Sequence, residues 1–272
     1  MMTTAPRISV IMATYNCSDT VERSIESILK QSYTSWEFII CDDCSSDGTY
    51  DILKKYESKY KGKIIVLRNE INSKLSFSLN RCLEIAKGEY IARMDGDDES
   101  LPERFRKQID FLDTHPEYDV TGCAMIPFDE NGERPPRLAI LEPSPVDMIH
   151  RSPFFHATIL MRKSAYDKVG GYTVSKRTMR AQDYDMWFRF FKEGMKGYNL
   201  QDALYKVLED DKAYKRRSFK TRAYEVLTKL KGYSMLNFPL YTYIYAFKPL
   251  IVAIIPNSIM KKYHSKRDEN KI

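Results

Sequence analysis

Cysteine and histidine are scarce in this 272-residue chain, at five and four residues. Cys41 and Cys44 form a C-x-x-C, the spacing of a redox pair or half of a zinc site. No second cysteine pair follows, and His115, His150, His156 and His264 are scattered, so a zinc module has too few ligands. The residues between the two cysteines are Asp42 and Asp43, which points to a polar turn. An odd cysteine count argues for a reducing compartment. So does the N-terminus, Met1 to Arg7, which runs into an apolar stretch without a secretory h-region. There is no internal repeat and no low-complexity segment. A glycine-rich basic phosphate loop is also missing. Ala13-Thr14-Tyr15-Asn16 stands where one would follow the first strand, which weighs against a nucleotidyltransferase.

Hydrophobic content of 43% and charged content of 29% are those of a folded protein long enough to bury a proper core. The net charge of +6 is unevenly spread. Residues 212–272 hold 14 Lys/Arg against 3 Asp/Glu, a net +11, which leaves −5 on residues 1–211. The expected division is therefore a domain over 1–211 and a basic, apolar extension over 212–272 that meets something anionic.

The body alternates strand and helix. Ile8–Ala13, Trp36–Cys41, Ile64–Leu67 and Gly88–Ala92 read as short buried strands, with helical spacing after Ser18, at 50–60 and at 76–86. Such alternation predicts a parallel α/β sheet, whose ligands sit beyond the carboxyl ends of its strands. A helix is expected after Pro102, a strand over 120–126, a strand-like stretch over 153–161 that holds His156, and a helix from about Ala181. Thr14, Asp42 and Asp95 all lie at strand ends and are expected to converge on one crevice.

Arg93-Met94-Asp95-Gly96-Asp97-Asp98 is the most informative stretch. Three carboxylates within four residues repel one another unless a cation sits among them. Mg²⁺ or Mn²⁺ takes oxygen ligands from one or two carboxylates and completes its shell with substrate phosphates. The competing role is a solvated acidic turn. Other residues also carry two readings. Asp42 and Asp47 can cap a turn or helix. Asp183 and Asp185 can serve the helix dipole alone. His156 can be a core residue, and Arg93 a surface one.

Taken in order, Ser9–Asn16, Asp42–Thr49, Gly88–Asp98 and Gln182–Trp187 resemble glycosyltransferase family 2 of the GT-A fold. The resemblance implies a Rossmann-like, mostly parallel sheet flanked by helices, binding a nucleotide-sugar. It gives Thr14 and Asp42 the base and ribose, and Asp95 and Asp97 the D-x-D positions for ribose and metal (Mn²⁺ or Mg²⁺), with Asp98 sharing the metal. His156 falls where the family often has a histidine near the phosphates, and Asp183 at the general base, while the place of Arg93 beside the carboxylates itself suits phosphate contact. Two departures stand out. Gln182 replaces the usual glutamate before Asp183, and Lys74 occupies a position often held by glycine. One base without a second nucleophilic carboxylate suits a single displacement that inverts the anomeric centre. UDP is the first candidate nucleotide, ahead of GDP and dTDP.

The extension has no formal charge over 232–247 or 249–260, but Lys248 interrupts it, as do Pro239, Pro249 and Pro256. Lysine at mid-bilayer costs roughly 2.5–3.5 kcal/mol. Basic clusters flank both sides: Lys215, Arg216, Arg217, Lys220 and Arg222 before, Lys261, Lys262, Lys266 and Arg267 after. An interfacial or re-entrant helical pair on the cytoplasmic leaflet is expected, held by apolar burial and anionic lipid. The alternative is a helical extension packed on its own domain. A cytoplasmic enzyme peripheral on the inner face of the membrane would take a lipid-linked saccharide acceptor, as in O-antigen or capsule assembly. Nucleic acid is not an expected partner, because the tail's basic residues flank an apolar core instead of forming a stripe.

Overall fold

The computed structural model describes residues 5–209 and 219–250. Its elements run β1 (Ile8–Thr14), α1 (Val21–Leu29), β2 (Trp36–Asp42), α2 (Thr49–Lys59), β3 (Ile64–Arg68), α3 (Leu75–Ile85) and β4 (Tyr90–Arg93). Then come β5 (Glu99–Ser100), α4 (Arg104–Thr114), β6 (Val120–Asp129), β7 (Gly132–Glu133), β8 (Leu160–Arg162), α5 (Lys163–Val169), α6 (Gln182–Lys192), β9 (Gly197–Leu208) and α7 (Phe219–Met235). Short 3₁₀ helices cover Pro145–Ile149, His156–Thr158 and Leu240–Phe247.

The sheet order is β3-β2-β1-β4-β8-β6-β9-β5, with β7 paired to β6. The first four strands are parallel, as the alternation of elements requires. β1 and β2 are buried along almost their whole length because both faces are covered, and their one buried mid-strand charge, Glu37, accepts the Ser9 hydroxyl at 2.7 Å. On one face Val10, Met12, Phe38 and Ile40 meet α1, α2 and α4 through Ile25, Leu53 and Phe105. On the other, Ile11 and Ile39 meet α3 and α6 through Leu79, Met186 and Trp187. β8 runs antiparallel to β4 and to β6, and β9 is parallel to β6. The architecture is the GT-A-like α/β fold.

One local expectation differs from the structure, and one long strand, β9, is not expected from the sequence at all. The stretch 153–161 is not one strand. Pro153 and the bulky Phe154-Phe155 precede a 3₁₀ turn, His156–Thr158, in which the Thr158 N–H donates to Phe155 O at 2.8 Å. Only Leu160–Arg162 then pairs in the sheet. His156 therefore sits on a turn, not in a strand. In contrast, β9 carries no clear alternation, since exposed Gln201 and Asp202 interrupt it where its register against β6 shifts.

The described part of the extension packs on the same body. Tyr233 and Ala246 are fully buried, and the Tyr233 hydroxyl donates to Ile149 O at 2.9 Å. The clusters at 215–217 and 261–267, and Pro256, lie outside the described residues. Helix α7 meets α6 at Gly232, where a Cβ would fall 2.1–2.3 Å from Phe188 ring carbons. Glycine inside a helix costs about 1 kcal/mol relative to alanine, so Gly232→Ala would stabilise a free helix. Here overpacking of about 1–3 kcal/mol wins, and chemical denaturation of Gly232→Ala should show net destabilisation. A gain in stability would mean that α7 does not dock this closely.

Candidate active site

β1, β2 and β4 end side by side. Thr14 pairs with Asp42 across β1 and β2, and Ile11 with Arg93 across β1 and β4. The Met94 N–H then donates to Ile11 O at 3.1 Å, which directs the acidic turn back over the end of β1. At Gly96 a Cβ would lie 3.2 Å from Cys17 Sγ and 3.3 Å from Thr14 Cγ2, so a larger residue fits only if those side chains give by a few tenths of an ångström. Helix α1 holds the turn by its backbone. Thr20 Oγ1 donates to Gly96 O at 2.8 Å, Arg23 Nη2 to Asp97 O at 2.9 Å, and Ser24 Oγ to Asp98 O at 2.8 Å.

The three carboxylates of the turn have different surroundings. Asp95 is partly exposed and paired with Arg93, and its N–H donates to the Tyr205 hydroxyl at 3.1 Å. Asp97 is half-buried. Asp98 is only 3% exposed, and its Oδ1 accepts the Leu208 N–H at 2.9 Å. Loss of water, then the charges of Asp95 and Asp97, push its pKa well above the carboxylate range. Asp98 is thus a strut between the turn and the end of β9, a geometry that does not fit the metal role expected of it. Arg93 is 2% exposed, which removes the surface reading. Its Nη atoms reach Asp95 Oδ1 and Met94 O, and its Nε has no partner among the described residues.

Asp42 is fully buried. Its Oδ2 accepts the Ser45 N–H at 3.1 Å and lies 3.6 Å from Arg68 Nε, while Oδ1 has no partner among the described residues. Thr14 Oγ1 beside it is equally unpaired. Asp47, by contrast, is a cap. It accepts the N–H groups of Ser18 and Thr49 at 3.0 Å. Burial works against its charge, but bonds from Thr49 and Ser18 outweigh it and hold the carboxyl down at about 2.

Asp43 organises the next loop, accepting Asn69 Nδ2 at 2.6 Å, the Ser73 N–H at 2.7 Å and the Lys74 N–H at 2.8 Å. Lys74 sits at φ 74°, ψ 165°, a region essentially reserved for glycine and costing other residues roughly 1–3 kcal/mol. Glycine's greater unfolded-state freedom returns up to about 1 kcal/mol of that. Lys74→Gly is accordingly expected to raise unfolding free energy by about 1 kcal/mol in urea titration.

Across the crevice, the His156 ring faces Trp187 of α6 edge-on at 5.4 Å. Its Nε2 is 2.8 Å from the Tyr172 hydroxyl, and its Nδ1 has no partner among the described residues. Burial, reinforced by the Arg93 charge, lowers its pKa to about 3, so the imidazole is neutral. Arg104, fully buried, joins the two sides by donating to Arg93 O at 2.9 Å and Ile159 O at 3.1 Å.

Helix α6 begins at Gln182, whose Oε1 is buried and unpaired among the described residues. Asp185 is structural, gripped by Arg177 at 2.6 Å, Arg189 at 3.0 Å and Thr173 at 2.6 Å. Asp183 differs. Loss of water pushes its pKa up to about 6, against the pull of the N–H groups of Tyr184 and Asp183 itself. The charges of Asp95 and Asp183 both act on the Tyr172 hydroxyl.

Residues 9–182 match the family model described as glycosyl transferase family 2. The chain belongs to that family. EpsE of Bacillus subtilis, which carries a glycosyltransferase name, is 49% identical over 269 residues, 99% of this chain and 97% of EpsE. The Escherichia coli UDP-Glc:α-D-GlcNAc-diphosphoundecaprenol β-1,3-glucosyltransferase WfaP is 31% identical over 202 residues, covering 74% of this chain and 77% of WfaP. Among solved structures, mannosyltransferase PcManGT from Pyrobaculum calidifontis, in complex with GDP-Man and Mn²⁺, superposes with a TM-score of 0.67 at 15% identity, covering 97% of this chain and 80% of that one.

In this glycosyltransferase the residues that the sequence motifs single out stand at the ends of β1, β2 and β4 (Thr14, Asp42, Arg93), on the turn that follows (Asp95, Asp97), on a 3₁₀ turn (His156) and at the start of α6 (Asp183). The motifs do not reveal Tyr172 and Tyr205, which bind His156 and the Asp95 amide from later parts of the chain. Only the burial of Tyr205 in a strand, unrecognised in the sequence, could have drawn attention to it.

Proposed function

We propose that the enzyme transfers a sugar from a nucleotide-sugar, first among them a UDP-sugar, to a hydroxyl of a lipid-linked saccharide in the assembly of a surface polysaccharide, with inversion at the anomeric carbon. One observation carries this reading. Thr14 Oγ1, Asp42 Oδ1, Arg93 Nε, His156 Nδ1 and Gln182 Oε1 are buried polar atoms without partners among the described residues, and all belong to the residues around this crevice. Unpaired buried polar atoms cost roughly 1–3 kcal/mol each, and a polar ligand that meets them offsets that cost. The names of EpsE and WfaP support the reaction class, and that of WfaP the acceptor class.

Thr14 and Asp42 suit the base and ribose, and Asp95 the ribose. Arg93 and the neutral His156 suit the diphosphate. Asp97, with Asp95 beside it, offers the hard oxygens that Mn²⁺ or Mg²⁺ requires. No group of three or more His, Cys, Asp or Glu arranged to hold an ion is found among the described residues, so donor phosphates would have to complete the shell of an ion at Asp97 and Asp95. Such an ion would neutralise charge on the leaving diphosphate. Asp183 takes the proton from the acceptor hydroxyl as its oxygen bonds to the anomeric carbon and the carbon–phosphate-oxygen bond breaks, releasing the nucleoside diphosphate. Thermal-shift measurements with UDP-, GDP- and dTDP-sugars, with and without Mn²⁺, followed by hydrolysis assays, test this. Absence of any Mn²⁺-dependent stabilisation across the panel would refute it.

The membrane belongs to the same reading. No helix among the described residues is long and apolar enough to cross a bilayer. Yet Leu240, Tyr241 and Ile244 on one 3₁₀ helix are 83%, 77% and 71% exposed, beside a strongly basic sequence. Peripheral attachment to the inner, anionic face of the cell membrane would cover them. Co-sedimentation with phosphatidylglycerol vesicles should fall about tenfold or more in a Tyr241→Ser, Ile244→Ser double variant, the value of roughly one buried apolar side chain. Full recovery of the unaltered protein in the supernatant at low salt would rule the attachment out.

A further inference from the structure

The Tyr172 hydroxyl is the middle link of a short hydrogen-bonded chain. It stands 2.8 Å from His156 Nε2 and 3.1 Å from the Tyr166 hydroxyl. Both tyrosines are 2% exposed, and the Tyr166 hydroxyl has no other partner among the described residues. Helix α3 grips the backbone of Tyr172 and so fixes where its ring stands. Asn80 Nδ2 donates to Tyr172 O at 2.8 Å, and the Tyr172 N–H donates to Asn80 Oδ1 at 2.8 Å.

The two bonds of this chain can run in either direction. With the proton on Nε2, His156 would donate to Tyr172 and Tyr172 to Tyr166. The Tyr166 proton would then be buried without an acceptor, the costliest state for a polar group. Run the other way, Tyr166 donates to Tyr172 and Tyr172 donates to Nε2, so both hydroxyl protons are used. Of the three groups only the imidazole nitrogen can accept without also having a proton to place. A neutral ring whose Nε2 accepts carries its proton on Nδ1, the buried atom that has no partner among the described residues.

The turn that holds His156 is tied to the end of β4. The Arg93 N–H donates to Ile159 O at 3.1 Å, and Arg104 Nη2 reaches both Arg93 O at 2.9 Å and Ala157 O at 3.4 Å. We propose that Tyr172 is a positioning residue for the transfer reaction, fixing His156 as the Nδ1–H tautomer so that the imidazole meets a phosphate oxygen of the donor as a hydrogen-bond donor. This rests on the reading of His156 as a diphosphate contact. The opposite tautomer would turn a lone pair to the anion and leave that oxygen without its donor.

Long-range nitrogen-15 NMR of histidine-labelled protein at pH 7 tests this, with the His156 signals assigned by their loss in His156→Gln. In the unaltered protein Nδ1 should be the proton-bearing nitrogen and Nε2 the bare one, and saturating UDP with Mg²⁺ should shift the Nδ1 signal. Tyr172→Phe should give a mixture of tautomers and weaken UDP binding by about two- to tenfold, the reciprocal of the Nδ1–H fraction that remains. Tyr166→Phe should keep the tautomer, because the Tyr172 proton still has Nε2 as its acceptor, and so controls for the loss of a buried hydroxyl as such. A proton on Nε2 in the unaltered protein overturns the proposal, whether or not any variant folds. So does an Nδ1 signal unmoved in UDP-saturated protein, or a pure Nδ1–H tautomer in folded Tyr172→Phe. Failure of every nucleotide-sugar to bind would instead refute the wider reading of function, an outcome read by thermal shift and separate from the tautomer of the free protein.

Discussion

Asp97→Ala is expected to lower kcat/KM by about 10³-fold or more while leaving the fold within about 1 kcal/mol of its original stability. An ion that neutralises a leaving diphosphate supplies several kcal/mol of transition-state stabilisation, and 4 kcal/mol corresponds to about 10³ in rate. The half-buried Asp97 offers the ion a carboxylate, whereas the turn itself is held through its backbone by Thr20, Arg23 and Ser24. Its like charge is one of those that disfavour the ionised form of Asp98, so removal relieves repulsion. The neighbouring variant is the control. Asp98→Ala removes the acceptor of the Leu208 N–H and should cost roughly 1–3 kcal/mol of stability. Steady-state kinetics beside thermal unfolding separate the two. Equal loss of stability in both variants, or Mn²⁺-dependent turnover surviving in Asp97→Ala, would contradict the division of labour.

Asp183→Asn should lower kcat by about 10²–10⁴-fold with little change in KM for the donor, the range for loss of a general base. In the unaltered enzyme the rate should climb as pH rises through about 6, where Asp183 gives up its proton. Stability runs the other way. The carboxyl is raised from 3.8 to about 6 in the folded protein, so the fold prefers it protonated. That contribution is complete below pH 3.8 and is lost as pH rises through 6. Above pH 6 the ionised group costs about 1–2 kcal/mol, which asparagine avoids. Asp183→Asn should therefore melt higher than the unaltered protein at pH 8 and not at pH 4. A variant that is inactive and also less stable at pH 8 would point to a structural carboxylate such as Asp185.

Much of the fold was legible because its signals are local. Continuous apolar runs mark β1, β2 and β4 as strands covered on both faces, and each ends in the polar residue that lines the crevice. β9 was not legible, because exposed Gln201 and Asp202 break its alternation. The stretch 153–161 misleads for the opposite reason, since its apolar residues pack as a turn beneath Trp187. Within the site, the sequence cannot distinguish Asp97 from Asp98. They are the same residue one position apart, and what separates them is Leu208, 110 residues further on.

The sheet has a seam between β4, the last parallel strand, and β8, the first antiparallel one. Thr14 and Asp42 stand on the parallel flank, while His156, Tyr172 and Asp183 come from the other. Arg104 clasps that seam from beneath through carbonyls on both sides. On the proposed roles a donor's diphosphate would bridge that seam, with Arg93 on one side and His156 on the other. The clasp thus sets the gap that a donor has to fill.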